Sequence, residues 1–424
     1  MDIKVEKINK GLKGEFEIPA DKSITHRAFM FSSLSGGKVR VTNFSKGQDC
    51  LSTLKIIENL GCKITELNQN TIEIDATNAY KNINNITLDC GNSGTTMRLM
   101  SGILASQKFS STLFGDESLS KRPMKRVITP LEQMGAKILH NDFKAPLKFE
   151  PTELKAINYN SNLASAQVKS CVLLAGLNTD GTTTFEEPYK SRNHTELMLE
   201  YFRANIRVQE NKVSISKSKL TPKNIEVAGD ISSAAFFIVA GLIIPNSEII
   251  IKNTGINPTR TGILEVAEKM GGKISILNKR EIAGELIADL KVEYSNLNAC
   301  EISGEIIPRL IDELPVIAVL ATQAQGKTVV KDAQDLRNKE ADRIKCLVNE
   351  LQKMGVKIEE TQDGFIIEGK QEIQGGCEVE VYHDHRLAMS FYVASLIAQK
   401  PVIIKDFQWV NISFPEFLNI MQNL

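Results

Sequence analysis

The chain has 424 residues, enough for two or three domains at roughly 150 residues each. Its 51 Lys and Arg balance 51 Asp and Glu, and there is one Trp, which argues against a general nucleic-acid binder with its basic surplus. A composition of 42% hydrophobic and 24% charged residues excludes a disordered or fibrous chain. Seven cysteines, odd in number and without a Cys-x-x-Cys pair, point to reduced thiols rather than a disulfide framework or a zinc site. The opening Met-Asp-Ile-Lys-Val-Glu has no basic stretch leading into an apolar one, so no signal peptide is expected. The longest strongly apolar run, 234–244, falls well short of the roughly 20 residues that span a bilayer, and a cytoplasmic protein is expected.

Taken in chain order, the predicted elements repeat six times. The first unit starts a helix near Ser23, forms a strand at 39–43 and runs a second helix into Leu60-Gly-Cys-Lys-Ile64. The second starts near Ser93, with a strand at 112–115 and the turn Met134-Gly-Ala-Lys-Ile138. The third starts near Ser165, with a strand at 183–186 and Phe202-Arg-Ala-Asn-Ile206, where Asn205 is expected to substitute for glycine. The fourth starts near Asp230, with a strand at 249–253 and Met270-Gly-Gly-Lys-Ile274. The fifth starts near Asp312, with a strand at 328–332 and Met354-Gly-Val-Lys-Ile358. The sixth starts near Asp384, with a strand at 402–406 and a helix at 415–424 that has no strand after it.

Strand ends fall 67 to 79 residues apart. Ser and Asp suit helix N-caps, and Gly just past a helix suits the left-handed C-terminal cap. The first helix of each unit is so apolar that burial nearly all round is expected. Units of this size are too large for a solenoid. The class predicted is therefore α/β (α+β): two similar domains of three units, with sheets and helices packed around buried helices.

Chemistry-bearing residues gather at the helix starts and in the loops after the strands. Helix N-termini present unpaired N–H groups and suit anions. In Asp21-Lys-Ser-Ile-Thr-His-Arg27, Ser23 and Arg27 share a helix face with Lys22 at its mouth. In Gly91-Asn-Ser-Gly-Thr-Thr-Met-Arg98, Gly94 would let a ligand approach the backbone. Ser165-Ala-Gln-Val-Lys169 puts polar groups into an apolar helix. Loops after four consecutive strands carry Arg122, Arg192, Arg260 and Arg337.

In Leu336-Arg-Asn-Lys-Glu-Ala-Asp-Arg343, Lys339 and Arg343 are four residues apart. On one helix face such a like-charge pair costs a few tenths of a kcal/mol, about 0.2–0.5, unless an anion sits between them. Glu340 lies in that cationic setting, Asp312-Glu313 follows Pro308-Arg309, and Tyr382-His-Asp-His-Arg386 is a further dense cluster. There is no Walker loop, dinucleotide fingerprint, nucleophile elbow or metal cluster. The pattern points to group transfer between two small anionic molecules, using acid–base residues and fixed cations rather than a metal or nucleotide cofactor.

These motifs, with Lys121-Arg-Pro-Met124, Gly229-Asp-Ile-Ser-Ser-Ala-Ala235 and Asp384-His-Arg386, occur in an order that resembles the 5-enolpyruvylshikimate-3-phosphate (EPSP) synthases from end to end. The resemblance implies the enolpyruvyl transferase fold, an inside-out α/β barrel of βαβαββ-type units. It implies an inserted domain at 21–227, a discontinuous one at 1–20 and 228–424, and an active site between them. It implies transfer of the carboxyvinyl group of phosphoenolpyruvate to the 5-hydroxyl of 3-phosphoshikimate, with no cofactor, in a monomer, with glyphosate as an inhibitor.

By the same resemblance, 3-phosphoshikimate falls to Lys22, Ser23, Arg27, Ser165, Ala166, Gln167, Arg192, Asp312 and Lys339. Phosphoenolpyruvate falls to Lys22, Gly94, Arg122, Gln167, Arg343 and Arg386. Asp312 resembles the base at the 5-hydroxyl and Glu340 the proton carrier, with Lys22 and His385 in support. Two positions depart from many members: Ala166 replaces a second Ser, and Ile412 replaces a Lys before Ser413-Phe414-Pro415. The sister enzyme, UDP-N-acetylglucosamine enolpyruvyl transferase, would require a Cys in the loop Gly115-Asp-Glu-Ser-Leu-Ser-Lys-Arg122, which has none. A non-catalytic anion-binding repeat protein would have no use for both Asp312 and Glu340.

Overall fold

The computed structural model describes residues 1–424, and all six units form. The second unit shows the pattern. Strands Asn85–Asp89, Ser110–Phe114, Lys144–Glu150 and Lys137–Asn141 lie side by side in that order, the first pair parallel and the others antiparallel. The third unit repeats it with Asn158–Asn160, Thr182–Glu186, Lys212–Ser216 and Ile206–Gln209. The fifth does so with Glu301–Ile302, Lys327–Val330, Phe365–Glu368 and Ile358–Glu360.

The other units borrow a strand from far along the chain. Ile225–Glu226 completes the first unit by pairing parallel with Lys38–Thr42. Lys13–Glu17 completes the fourth by pairing parallel with Glu248–Gly255. The sixth has no hairpin of its own, and Ile3–Val5 takes that place beside Val402–Ile404, antiparallel. The sheets stay small and separate, and none closes into a barrel.

The chain divides into two compact bodies, one of 1–19, 229–280 and 286–424, the other of 20–228 and 281–285. At the centre of the second lie helices Lys22–Leu34, Gly94–Ala105 and Ala166–Gly176. The latter two pack so closely that a Cβ on Gly102 would collide with the carbonyl of Cys171. At the centre of the first lie Ile231–Ile243, Leu314–Thr322 and His385–Ser395, buried along almost their whole length. Phe237, Phe414 and Phe417 pack edge-to-face or tilted against one another there. No helix is long and apolar enough to cross a membrane.

The helix starts need two corrections. Asp21, not Ser23, caps Lys22–Leu34, its carboxylate accepting the N–H of Ile24 at 2.8 Å. Leu314–Thr322 is preceded by Glu313, which leaves Asp312 one residue outside the helix. Ser93, Asp230 and Asp384 cap as expected through their side chains, whereas Ser165 holds the cap position without a side-chain bond. The Asn and Asp at the expected ends of four strands have a conformational reason, although Asn253 lies inside Glu248–Gly255, where the register shifts. Asn43, Asn253, Asp332 and Asp406 adopt φ of 53°, 56°, 60° and 51°, the left-handed region that these two residues tolerate best.

The third unit's turn differs from expectation. Gly61, Gly135, Gly271 and Gly355 take φ between 86° and 97° after their helices, and the residue in the same place is Arg203, at 63°, rather than Asn205. A side chain in that conformation costs about 1–2 kcal/mol. Arg203→Gly should therefore raise the unfolding free energy by up to about 1 kcal/mol, less than the full strain because glycine also loosens the unfolded chain. Urea unfolding of the two proteins checks this.

Candidate active site

In the 20–228 body most candidate residues sit in the first turns of the buried helices, while Arg122 and Arg192 lie in loops. The Lys22 ammonium is 2.7 Å from the carboxylate of Asp49, on the neighbouring helix Gln48–Asn59. Arg27 is buried. Its guanidinium donates to the Ser23 carbonyl at 2.9 Å, the Ser170 hydroxyl at 2.9 Å and the Thr195 hydroxyl at 2.7 Å. The i,i+4 relation of Ser23 and Arg27 is thus used, but through the backbone carbonyl of Ser23.

Beside them, Arg98 donates to the Gln167 side-chain carbonyl at 2.5 Å, and the Gln167 amide donates to the Thr95 hydroxyl at 3.0 Å. Arg122 donates to the Asn92 side chain at 2.8 Å. Gly94 lies where these arginines meet. A Cβ there would be 3.4 Å from Nη1 of Arg122 and 3.6 Å from Nη1 of Arg98. Ser165 and Ala166 open the third helix next to Gln167. Arg192 lies in the loop just before helix His194–Tyr201.

The candidates of the other body form an ionic knot. Arg343, 1% exposed, reaches three carboxylates: Asp384 at 2.6 Å, Glu340 at 2.6 Å and Asp312 at 3.2 Å. Lys339 approaches the same Asp312 oxygen at 3.0 Å. Arg386 donates to the Asp312 backbone carbonyl at 3.2 Å and lies 3.9 Å from Glu313. Burial disfavours the charge of Arg343, but Asp384, Glu340 and Asp312 outweigh it and hold its pKa above the ordinary arginine value. His385 is the first residue of the last buried helix, next to the cap Asp384.

Lys339 and Arg343 do not share a helix face. Lys339 ends the short 3-10 turn Gln334–Asn338 and Arg343 starts helix Arg343–Lys353. The anion that reconciles the two cations is Asp312, met from both sides.

Three features escaped the sequence reading. Asp49, partner of Lys22, is 27 positions away from it and carries no local signal. Arg98 was visible in its motif, yet only its contact with Gln167 marks it. Asp384 reads as an ordinary cap, but it also receives Arg343. The recurring loop arginines also diverge. Arg337 bonds Asp342, Glu360 and two backbone carbonyls, and buried Arg260 bonds Asp230 and Ser232, so both hold their own units together.

His26, in the first motif, is fully buried, its Nδ1 2.7 Å from the Thr53 hydroxyl. Burial, helped by Lys22 and Arg27, depresses its pKa well below the ordinary 6.5. As pH falls through 6.5 the unfolded chain takes up a proton that the folded chain refuses, so stability falls with pH below that point. For this one group the slope approaches about 1.4 kcal/mol per pH unit. His26→Gln should flatten the dependence between pH 6.5 and 5 by that amount, read from chemical unfolding at each pH.

Buried helix ends furnished with cations, and acid groups held against those cations, define an enzyme that handles small anions. A family model described as EPSP synthase (3-phosphoshikimate 1-carboxyvinyltransferase) matches residues 6–421. A 3-phosphoshikimate 1-carboxyvinyltransferase of Thermoanaerobacter sp. strain X514 is 51% identical over 419 residues, 98% of each chain. One of Bacillus subtilis strain 168 is 48% identical over 423 residues, 97% of each. The solved EPSP synthase of Acinetobacter baumannii superimposes with a TM-score of 0.89 at 40% identity, covering 100% of this chain and 98% of that one. The chain belongs to the EPSP synthase family of transferases.

Proposed function

We propose that the chain transfers the carboxyvinyl group of phosphoenolpyruvate to the 5-hydroxyl of 3-phosphoshikimate, releasing phosphate, on the route to aromatic amino acids. The observation that carries this reading is Asp312, held between Lys339 and Arg343 while Arg343 also grips Glu340. Two acid–base groups on one fixed cation suit a reaction that adds a proton at one carbon and removes one from a hydroxyl. Full-length relatives at about half identity that carry the transferase's name support it.

The enol carbon of phosphoenolpyruvate is a poor electrophile until its methylene is protonated. We assign that proton to Glu340, with Lys22 and His385 in support. The 5-hydroxyl oxygen then bonds to the oxocarbenium carbon, and its proton passes to Asp312. In the tetrahedral ketal that results, Glu340, now a carboxylate, takes a proton from the new methyl, and the electrons of that C–H bond form the double bond as the carbon–oxygen bond to phosphate breaks and its electron pair leaves with phosphate. Guanidinium and ammonium groups held in place before reaction stabilise the charge that builds on phosphate and carboxylate.

For 3-phosphoshikimate the contacts proposed are Lys22, Ser23, Arg27, Ser165, Gln167, Arg192, Asp312 and Lys339, with the backbone at Ala166. For phosphoenolpyruvate they are Lys22, Gly94, Arg122, Gln167, Arg343 and Arg386. Each charge-assisted hydrogen bond contributes about 1.5–3 kcal/mol, so several are needed to hold two such hydrated anions. The division of substrates between the inserted segment, mainly 3-phosphoshikimate, and the rest, mainly phosphoenolpyruvate, belongs to the same proposal. So do a cytoplasmic setting, a monomeric state and inhibition by glyphosate in the place of phosphoenolpyruvate.

Phosphate release by the purified protein with both substrates tests the reading, and absence of turnover would sink it. Asp312→Asn should lower kcat by about 10²–10⁴-fold while both substrates still bind, because general-base help is worth that much. Steady-state kinetics with equilibrium binding separates the two effects. Gly94→Ala should fold normally, since its methyl would meet the arginines at ordinary contact distance. It should raise the glyphosate inhibition constant and the phosphoenolpyruvate KM, leaving the 3-phosphoshikimate KM near wild type. Unchanged inhibition would remove Gly94 from the site.

A further inference from the structure

Lys169 takes no part in the chemistry above, yet it is among the most deeply buried charges in the protein, with its side chain 1% exposed. Its ammonium is 2.7 Å from Glu187, 2.7 Å from Glu196 and 3.3 Å from the Ser191 carbonyl. The Glu187 oxygen that meets it also accepts the Ser191 N–H at 2.9 Å. Lys169 thereby closes the segment from strand Thr182–Glu186 to helix His194–Tyr201 onto helix Ala166–Gly176.

A neighbouring residue on each helix makes a second bridge. Ser170, beside Lys169, and Thr195, beside Glu196, are 2.6 Å apart through their hydroxyls, and both accept from the guanidinium of Arg27. Two adjacent rungs join the helices, one ionic and one made of hydroxyls, and the second holds Arg27. Buried charge of this kind is weak evidence for stability, because desolvation offsets the attraction. Here three charges meet with one carboxylate in excess, and Oε2 of both Glu187 and Glu196 makes no hydrogen bond. Such a cluster is a poor stabiliser and a good ruler.

We propose that Lys169 is a positioning residue for 3-phosphoshikimate: by locking Glu196, and with it Thr195, it sets the angle at which Arg27 presents its guanidinium. The assignment rests on the proposed role of Arg27 in holding that substrate.

Steady-state phosphate release by wild type, Glu196→Ala and Lys169→Met, varying each substrate in turn, together with thermal melting, tests it. Glu196→Ala cuts the ionic rung while leaving the Lys169–Glu187 pair balanced. It should raise the KM for 3-phosphoshikimate about tenfold, keep that for phosphoenolpyruvate within about twofold, and leave the melting temperature equal or higher. Lys169→Met should show the same selective rise, and if it fails to fold, Glu196→Ala decides alone. A merely structural triad would give the reverse, a lower melting temperature with both KM values at wild type, and that result would overturn the proposal. Active wild type with unchanged KM in Glu196→Ala rejects only this assignment, whereas inactive wild type rejects the functional reading and this assignment with it.

Discussion

A guanidinium removed from water must be met by hydrogen-bond acceptors, and Arg343 meets that requirement with three carboxylates. Asp384, Glu340 and Asp312 come from separate stretches of chain, yet one buried cation fixes the position of each. Removing one partner of a buried ion pair typically costs about 3–5 kcal/mol, so the arrangement is held far more stiffly than a surface salt bridge could hold it. The acid–base candidates inherit their geometry from that stiffness. Asp312 gains a second cation in Lys339, and its backbone carbonyl is anchored by Arg386.

The 20–228 body solves a similar problem with different chemistry. Arg27 donates to two hydroxyls and a backbone carbonyl, and Arg98 and Arg122 each donate to a side-chain amide oxygen. Neutral acceptors orient a guanidinium through directed hydrogen bonds. Full countercharges appear in this body at Lys22, against Asp49, and at Lys169, one residue from the Ser170 and Thr195 hydroxyls that Arg27 meets.

The repeat explains why polar groups gather where they do. Each unit sends one apolar helix into a common centre, and three such helices bury one another along their length. Several of the polar residues named above lie at the N-terminal ends, where unpaired N–H groups and the helix dipole favour them. The sixfold architecture therefore places cations at some of these ends, Lys22 and Arg386 among them. The borrowed strands Lys13–Glu17 and Ile225–Glu226 allow the 20–228 segment to sit within the chain while every sheet is completed.

Much of this was legible in the sequence, because it depends on local chemistry: the sixfold period, the strand ends, the helix starts within two residues, the turn glycines and the motifs that resemble the family. Local rules reach only as far as one turn of helix or one hairpin. They could not show that Lys339 and Arg343 leave a common helix face to converge on Asp312, that Arg203 rather than Asn205 carries the left-handed turn, or that Asp49 answers Lys22. Nor could they separate Arg260 and Arg337, which brace their own units, from Arg122, at the same place in the repeat but beside Gly94. Those outcomes were decided in the tertiary structure, because each depends on which distant side chain supplies the countercharge or hydrogen bond once burial has removed water.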